Sequence, residues 1–115
     1  MGWFSRKDDK FFLSTIPAEP GTVETYLGIV SGEAVIGANI FRDMFASVRD
    51  VVGGRAGGYE RSLAGARQAA LDEAIEAAKQ LGATGIVGID FDYEVMGETN
   101  GMMMVAVSGT AVKMR

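Results

Sequence analysis

The chain has 115 residues, 48% of them hydrophobic, and a formal charge of −4 with pI ≈ 4.7. That length suits one domain, and an acidic chain with no basic stripe gives nucleic-acid binding no electrostatic footing. Neither Cys nor His occurs, which excludes disulfides, thiolate chemistry, the usual zinc sites, imidazole bases and Ser-His triads. No apolar run reaches the length of a membrane span, and no secretory leader precedes Lys10, so a cytoplasmic protein is expected.

Residues 1–10, MGWFSRKDDK, mix an apolar tip with a charged run and read as a flexible tail ahead of a single domain at 11–115. Phe11 to Ile16 is expected to be a short strand, stopped by Pro17 and by a Pro20-Gly21 turn. Val23 to Ile36 reads as a long strand, where Gly28 and Gly32 mark bulges or close backbone approach. Glu33 near its end is a candidate subunit-contact charge. Asn39 is a fitting N-cap for a short helix to about Val52, with Phe41, Phe45, Val48 and Val52 as its apolar stripe. Arg42-Asp43 and Arg49-Asp50 repeat seven residues apart, so each kind of charge shares a face. The connector VVGGRAGG lacks both the Gly-Lys-Ser/Thr and the G-x-G-x-x-G patterns of phosphate loops.

Tyr59 to Leu81 reads as the long helix, closed by Gly82. Leu63, Ala66, Ala70, Ala74, Ala78 and Leu81 make its stripe, widened by Leu71, Ile75 and Ala77; Arg67, Asp72, Glu73, Glu76 and Lys79 fall on the wet side. The alanines let the helix axis sit close to its neighbour. From Ile86 to Val112 the pattern is a β-hairpin with turn chemistry at Asn100-Gly101. Ile89, Phe91, Tyr93 and Val95 alternate with Asp90, Asp92 and Glu94. For one face to be buried, the apolar row must continue into Met103, Val105, Val107 and Ala111, which requires an odd loop and fits a bulge. The acids then share the outer face with Met102, Met104, Ser108 and Thr110.

One long helix can cover one sheet face, so the Phe41/Phe45 stripe is surplus apolar surface and calls for a partner. The expectation is a homo-oligomer closed as a ring, with Phe41, Phe45, Arg42, Arg49 and Glu33, or strand edges, at the joints.

Chemical candidates are few. Asp90, Asp92 and Glu94 supply oxygen donors of the kind Ca²⁺, Mg²⁺ or Mn²⁺ takes, but alternate side chains in a strand stand about 7 Å apart. Met102 and Met104 share a strand face, and only thioethers remain to select a soft ion such as Cu(I); methionine is also a common packing residue. Tyr26, Tyr59 and Tyr93 supply phenols, yet nothing groups nucleophile, base and orienter, so no enzyme is expected. No cofactor is fixed by these residues; a metal ion is the one candidate.

The stretches YLGIVSGEAVIGANIFRDMFASVRDVVGGRAGGYE, LGATGIVGIDFDYEVMG and MMMVAVSGTAVK, with the pattern N-x-F-R-D-x-F-A-x-x-R-D-x-x-G-G-R, closely resemble the bacterial YbjQ-like family from about Phe12 to Lys113. That family carries a heavy-metal-binding label and is otherwise uncharacterised. The resemblance implies a small α+β, dodecin-like subunit assembled into pentameric rings. The resulting expectation is an α+β fold, a small antiparallel sheet packed by one long helix plus a short helix. Its role is a homopentameric scaffold or small-ligand-binding ring, with metal binding through the carboxylate row or the methionine pair as the alternative.

Overall fold

A computed structural model describes residues 11–37, 57–96 and 101–115. Among these residues four strands, β1 (Phe12–Leu13), β2 (Val23–Ile36), β3 (Gly85–Met96) and β4 (Met102–Met114), and one helix, α1 (Gly57–Gln80), follow in the order β1, β2, α1, β3, β4. The sheet order is β1-β3-β4-β2, an open α+β arrangement. β4 pairs antiparallel with both long neighbours, whereas the two-residue β1 joins β3 in parallel.

The hairpin has the expected register. Met96 pairs with Met102, which leaves the odd-numbered connection 97–101, and Phe91, Tyr93 and Val95 face Val107, Val105 and Met103. The pairing shifts between Val87 and Asp90, so Gly88 and Ile89 stand against Gly109 alone. Gly88 has φ 65, the left-handed conformation that opens a bulge of this kind. The bulge keeps Ile86 and Ile89 both in the core on either side of the parity change. Gly109 makes room for them: a Cβ there would lie 2.6 Å from Ile86 Cγ2.

α1 packs on the face of the sheet that carries Val30, Ile36, Val105, Val107 and Ala111. Ala66, Ala70, Leu71, Ala74, Ile75 and Ala78 are its buried side chains, so the small-residue stripe is the contact surface. Gly32 sets the distance of closest approach. A Cβ on Gly32 would collide with the Ala70 carbonyl oxygen and lie 2.9 Å from the Ala74 nitrogen. Gly28, with φ 130, sits at the other irregularity of β2, between Tyr26 and Gly28 in the pairing with β4. The helix ends in a Schellman motif: Gly82 N–H donates to Lys79 O (2.9 Å) and Ala83 N–H to Ala78 O (3.0 Å), with Gly82 at φ 85.

Several expectations shift. The first strand is Phe12–Leu13 alone, because the Ser14 hydroxyl accepts from the Ile16 N–H (3.1 Å) and turns the chain. The expected Pro20-Gly21 turn is present: Thr22 N–H donates to Glu19 O (3.2 Å), with Pro20 and Gly21 (φ 84) in the central positions of a type II turn. Leu81 lies past the helix end and is 48% exposed, so it leaves the stripe. Arg67 is half-buried rather than on the wet side. α1 lies chiefly over β2 and β4 and touches β3 much less. Tyr93 and Val95 therefore remain about half exposed on the helix side of the sheet. The expected helix at 39–52, with Phe41, Arg42, Phe45 and Arg49, lies outside the described residues, as do the tail 1–10 and the turn residues Glu98, Thr99 and Asn100.

Candidate functional site

The face of the sheet away from α1 collects nearly all the described candidates. Successive residue pairs run across β3, β4 and β2 as Asp90–Ser108–Ser31, Asp92–Ala106–Glu33 and Glu94–Met104–Val35. The three acids of β3 thus share a face with Glu33, Met102 and Met104, because strand side chains alternate. Asp92 and Glu33 flank Ala106 in one row. Two strand spacings separate their backbones by about 10 Å.

All four carboxylates are exposed. Among the described residues no group of three acids, His or Cys is close enough to hold a metal ion. Met102 and Met104 are half-buried, and Met104 stands between Glu94 and Val35. Those two flexible thioethers share one face of the sheet.

The same face ends in an edge. β2 is 14 residues long, and among the described residues no strand pairs with its outer side. In an antiparallel ladder alternate residues turn both backbone groups toward the neighbour and the others turn them away. Glu33 identifies the outward set, since its N–H donates to the Glu73 carboxylate of α1 at 2.7 Å. Ile29, Ser31 and Val35 share its parity and turn their own N–H and C=O groups outward. Their side chains stand on the outer face, where Ile29 is 83% and Val35 55% exposed.

On the helix side, the uncovered part of β3 opens a groove that the sequence reading missed. One bay, of about 410 Å³, is lined by Leu13, Ser14, Thr15, Ile16, Leu71, Ile89 and Phe91. A second, of about 520 Å³, lies between Phe91 and the helix residues Ala64, Gly65, Arg67, Gln68 and Leu71. Leu71 and Phe91 belong to both and form a saddle between them. Arg67 Nη1 donates to the Tyr93 hydroxyl at 3.3 Å. The signal available beforehand was the small pair Ala64-Gly65 one turn from Arg67, on a helix facing the aromatic row of β3.

The family model YbjQ_1, described as "Putative heavy-metal-binding", matches residues 12–115. The crystal structure of a protein of unknown function from the DUF74 family, from Pediococcus pentosaceus ATCC 25745, is similar with a TM-score of 0.59 at 15% identity. The match covers 91% of this chain and 98% of that one. At that identity the likeness speaks to the fold alone.

Proposed function

This chain belongs to the YbjQ_1 family, matched over residues 12–115, and on that footing we propose that it is a non-enzymatic, homo-oligomeric scaffold or small-ligand-binding ring. The observation that carries the reading is the outer edge of β2, which among the described residues has no strand against it and exposes Ile29 and Val35. A long edge with apolar side chains pairs with another strand unless something covers it. Burying Ile29 and Val35 is worth about 2 kcal/mol each. Association costs at least about 4 kcal/mol, so one such pair does not hold two subunits together by itself. Main-chain hydrogen bonds along the edge and the reciprocal surface of the second copy supply the remainder. A closed ring satisfies every copy, and the resemblance implies five of them.

The second reading is metal binding, favoured by the family description and by the shared face of Met102 and Met104. Thioethers select soft ions, and the exposed acids select hard ones only when copies of the row meet around an axis. Native mass spectrometry of the intact protein, with and without Cu(I), Mn²⁺ and Ca²⁺, separates the two. The ring reading expects a defined multimer whose mass and melting temperature ignore the ions. A monomer at micromolar concentration defeats the ring, and stoichiometric gain of an ion makes metal binding the function.

A further inference from the structure

We propose that the groove between α1 and β3 binds a medium-chain or aromatic carboxylate, its acid group on Arg67 and its apolar body across the Leu71/Phe91 saddle. The proposal names the ligand class for the small-ligand-binding reading above. The groove lies within one chain, so it can stand or fall separately from the ring.

Shape comes first. Each bay lies in the size range of ordinary small-molecule sites. The two meet over Leu71 and Phe91. The groove exists because α1 lies chiefly over β2 and β4, leaving Phe91 half-buried and Tyr93 47% exposed on the helix side.

The polar groups are distributed unevenly. In the Leu13–Ile16 bay the backbone is already occupied: Ser14 O accepts from Ile89 N–H (3.1 Å) and Ile16 O from Gly88 N–H (3.3 Å). The Ser14 hydroxyl is engaged with both backbone groups of Ile16. Apart from Thr15, what remains toward the cavity is the apolar surface of Leu13, Ile16, Leu71, Ile89 and Phe91, which suits a hydrocarbon or ring.

The other bay holds a half-buried cation. Among the described residues, the hydrogen-bond partner of Arg67 is the neutral Tyr93 hydroxyl, with no carboxylate against it. A guanidinium in that state offers its remaining donors to an anion, and a carboxylate matches its fork. Gln68 beside it is engaged, its Nε2 donating to Asp72 Oδ1 at 2.7 Å. Asp72 is exposed and is not part of the lining of the bay. Among the described residues a cationic ligand has no partner here, and a neutral one leaves Arg67 as it was.

Gly65 provides a clean test. A Cβ there meets nothing within 4 Å, so Gly65→Leu projects into the bay without disturbing the core and improves helix propensity. Amide chemical shifts are followed by NMR on the intact protein while octanoate, octanol and octylamine are added in turn, with size-exclusion chromatography on each variant. Octanoate is expected to move the amides of Leu71, Ile89 and Phe91 saturably. Arg67→Gln should weaken octanoate roughly tenfold or more while leaving octanol unchanged, and Gly65→Leu should abolish octanoate binding with the fold intact. The proposal is overturned by octanoate shifts that are absent, that fall elsewhere, or that survive Arg67→Gln undiminished. It is equally overturned if Gly65→Leu changes the subunit count, because the groove is then a joint between copies. A monomeric protein that still binds octanoate through Arg67 would refute the ring and leave the groove standing.

Discussion

Two glycines have opposite consequences for stability. Gly32 is where β2 runs under α1, and any side chain there meets the backbone of Ala70 and Ala74. Backbone does not yield as a flexible side chain does, so Gly32→Ala should destabilise by about 3 kcal/mol, measured as a lower urea midpoint. Gly65, inside α1 with open space around it, should respond the other way. Gly65→Ala removes conformational freedom from the unfolded chain and should stabilise by about 0.5–1 kcal/mol in the same titration. That Gly28 and Gly32 marked a bulge and a close approach was legible in the sequence, since a glycine inside a β-branched run has few other uses. Which glycine did which was not, because a chain position says nothing about what crosses above it. The same gap explains Arg67. By helical spacing it belongs with the wet residues, and only the off-centre placement of α1 brings its guanidinium to the Tyr93 hydroxyl.

Among the elements, the hairpin was the most readable. Strict alternation from Ile89 to Val95 leaves one register that buries a face, and that argument selected the odd connection; the bulge at Gly88 and Ile89, away from the turn, was not placed by it. The outer-face grouping of Asp90, Asp92, Glu94, Met102 and Met104 followed from it. What could not be read was the lateral position of the helix, which depends on Gly32 meeting Ala70. β1 also shortened, because the Ser14 side chain competed successfully for the backbone of Ile16. Between elements, the contact from Glu73 to the Glu33 N–H ties α1 to the outward side of β2. Glu73→Ala should cost about 1 kcal/mol. Hydrogen exchange should quicken at the Glu33 amide and stay unchanged at Val105 and Val107. Glu73→Gln keeps an acceptor oxygen and should restore most of the protection. Equal protection in the alanine variant would mean that something other than Glu73 shields that amide.

For the whole molecule, surplus apolar surface was foreseen, though on the stripe of Phe41 and Phe45, which lies outside the described residues. The described part carries its own surplus on β2. Ile29→Lys is the direct probe, because an 83% exposed side chain contributes little to the stability of a single subunit. The expected outcome is loss of the multimer by size-exclusion chromatography, with the far-UV circular dichroism of the folded protein retained. An unchanged elution volume would remove the β2 edge as a joint.

The central position of β4 has a bearing on how the protein is made. β4 pairs with β3 across a short connection and with β2 along its whole length, from Val23 opposite Met114 to Ile36 opposite Met103. During synthesis β2 emerges long before the strand that it needs, and neither α1 nor β3 satisfies its ladder. For that interval the nascent chain carries an apolar strand with both sides open, the condition under which polypeptides stick to one another. Folding of the sheet therefore waits for β4 to clear the ribosome. A chaperone that holds extended apolar segments has its natural target in Val23–Ile36 until then.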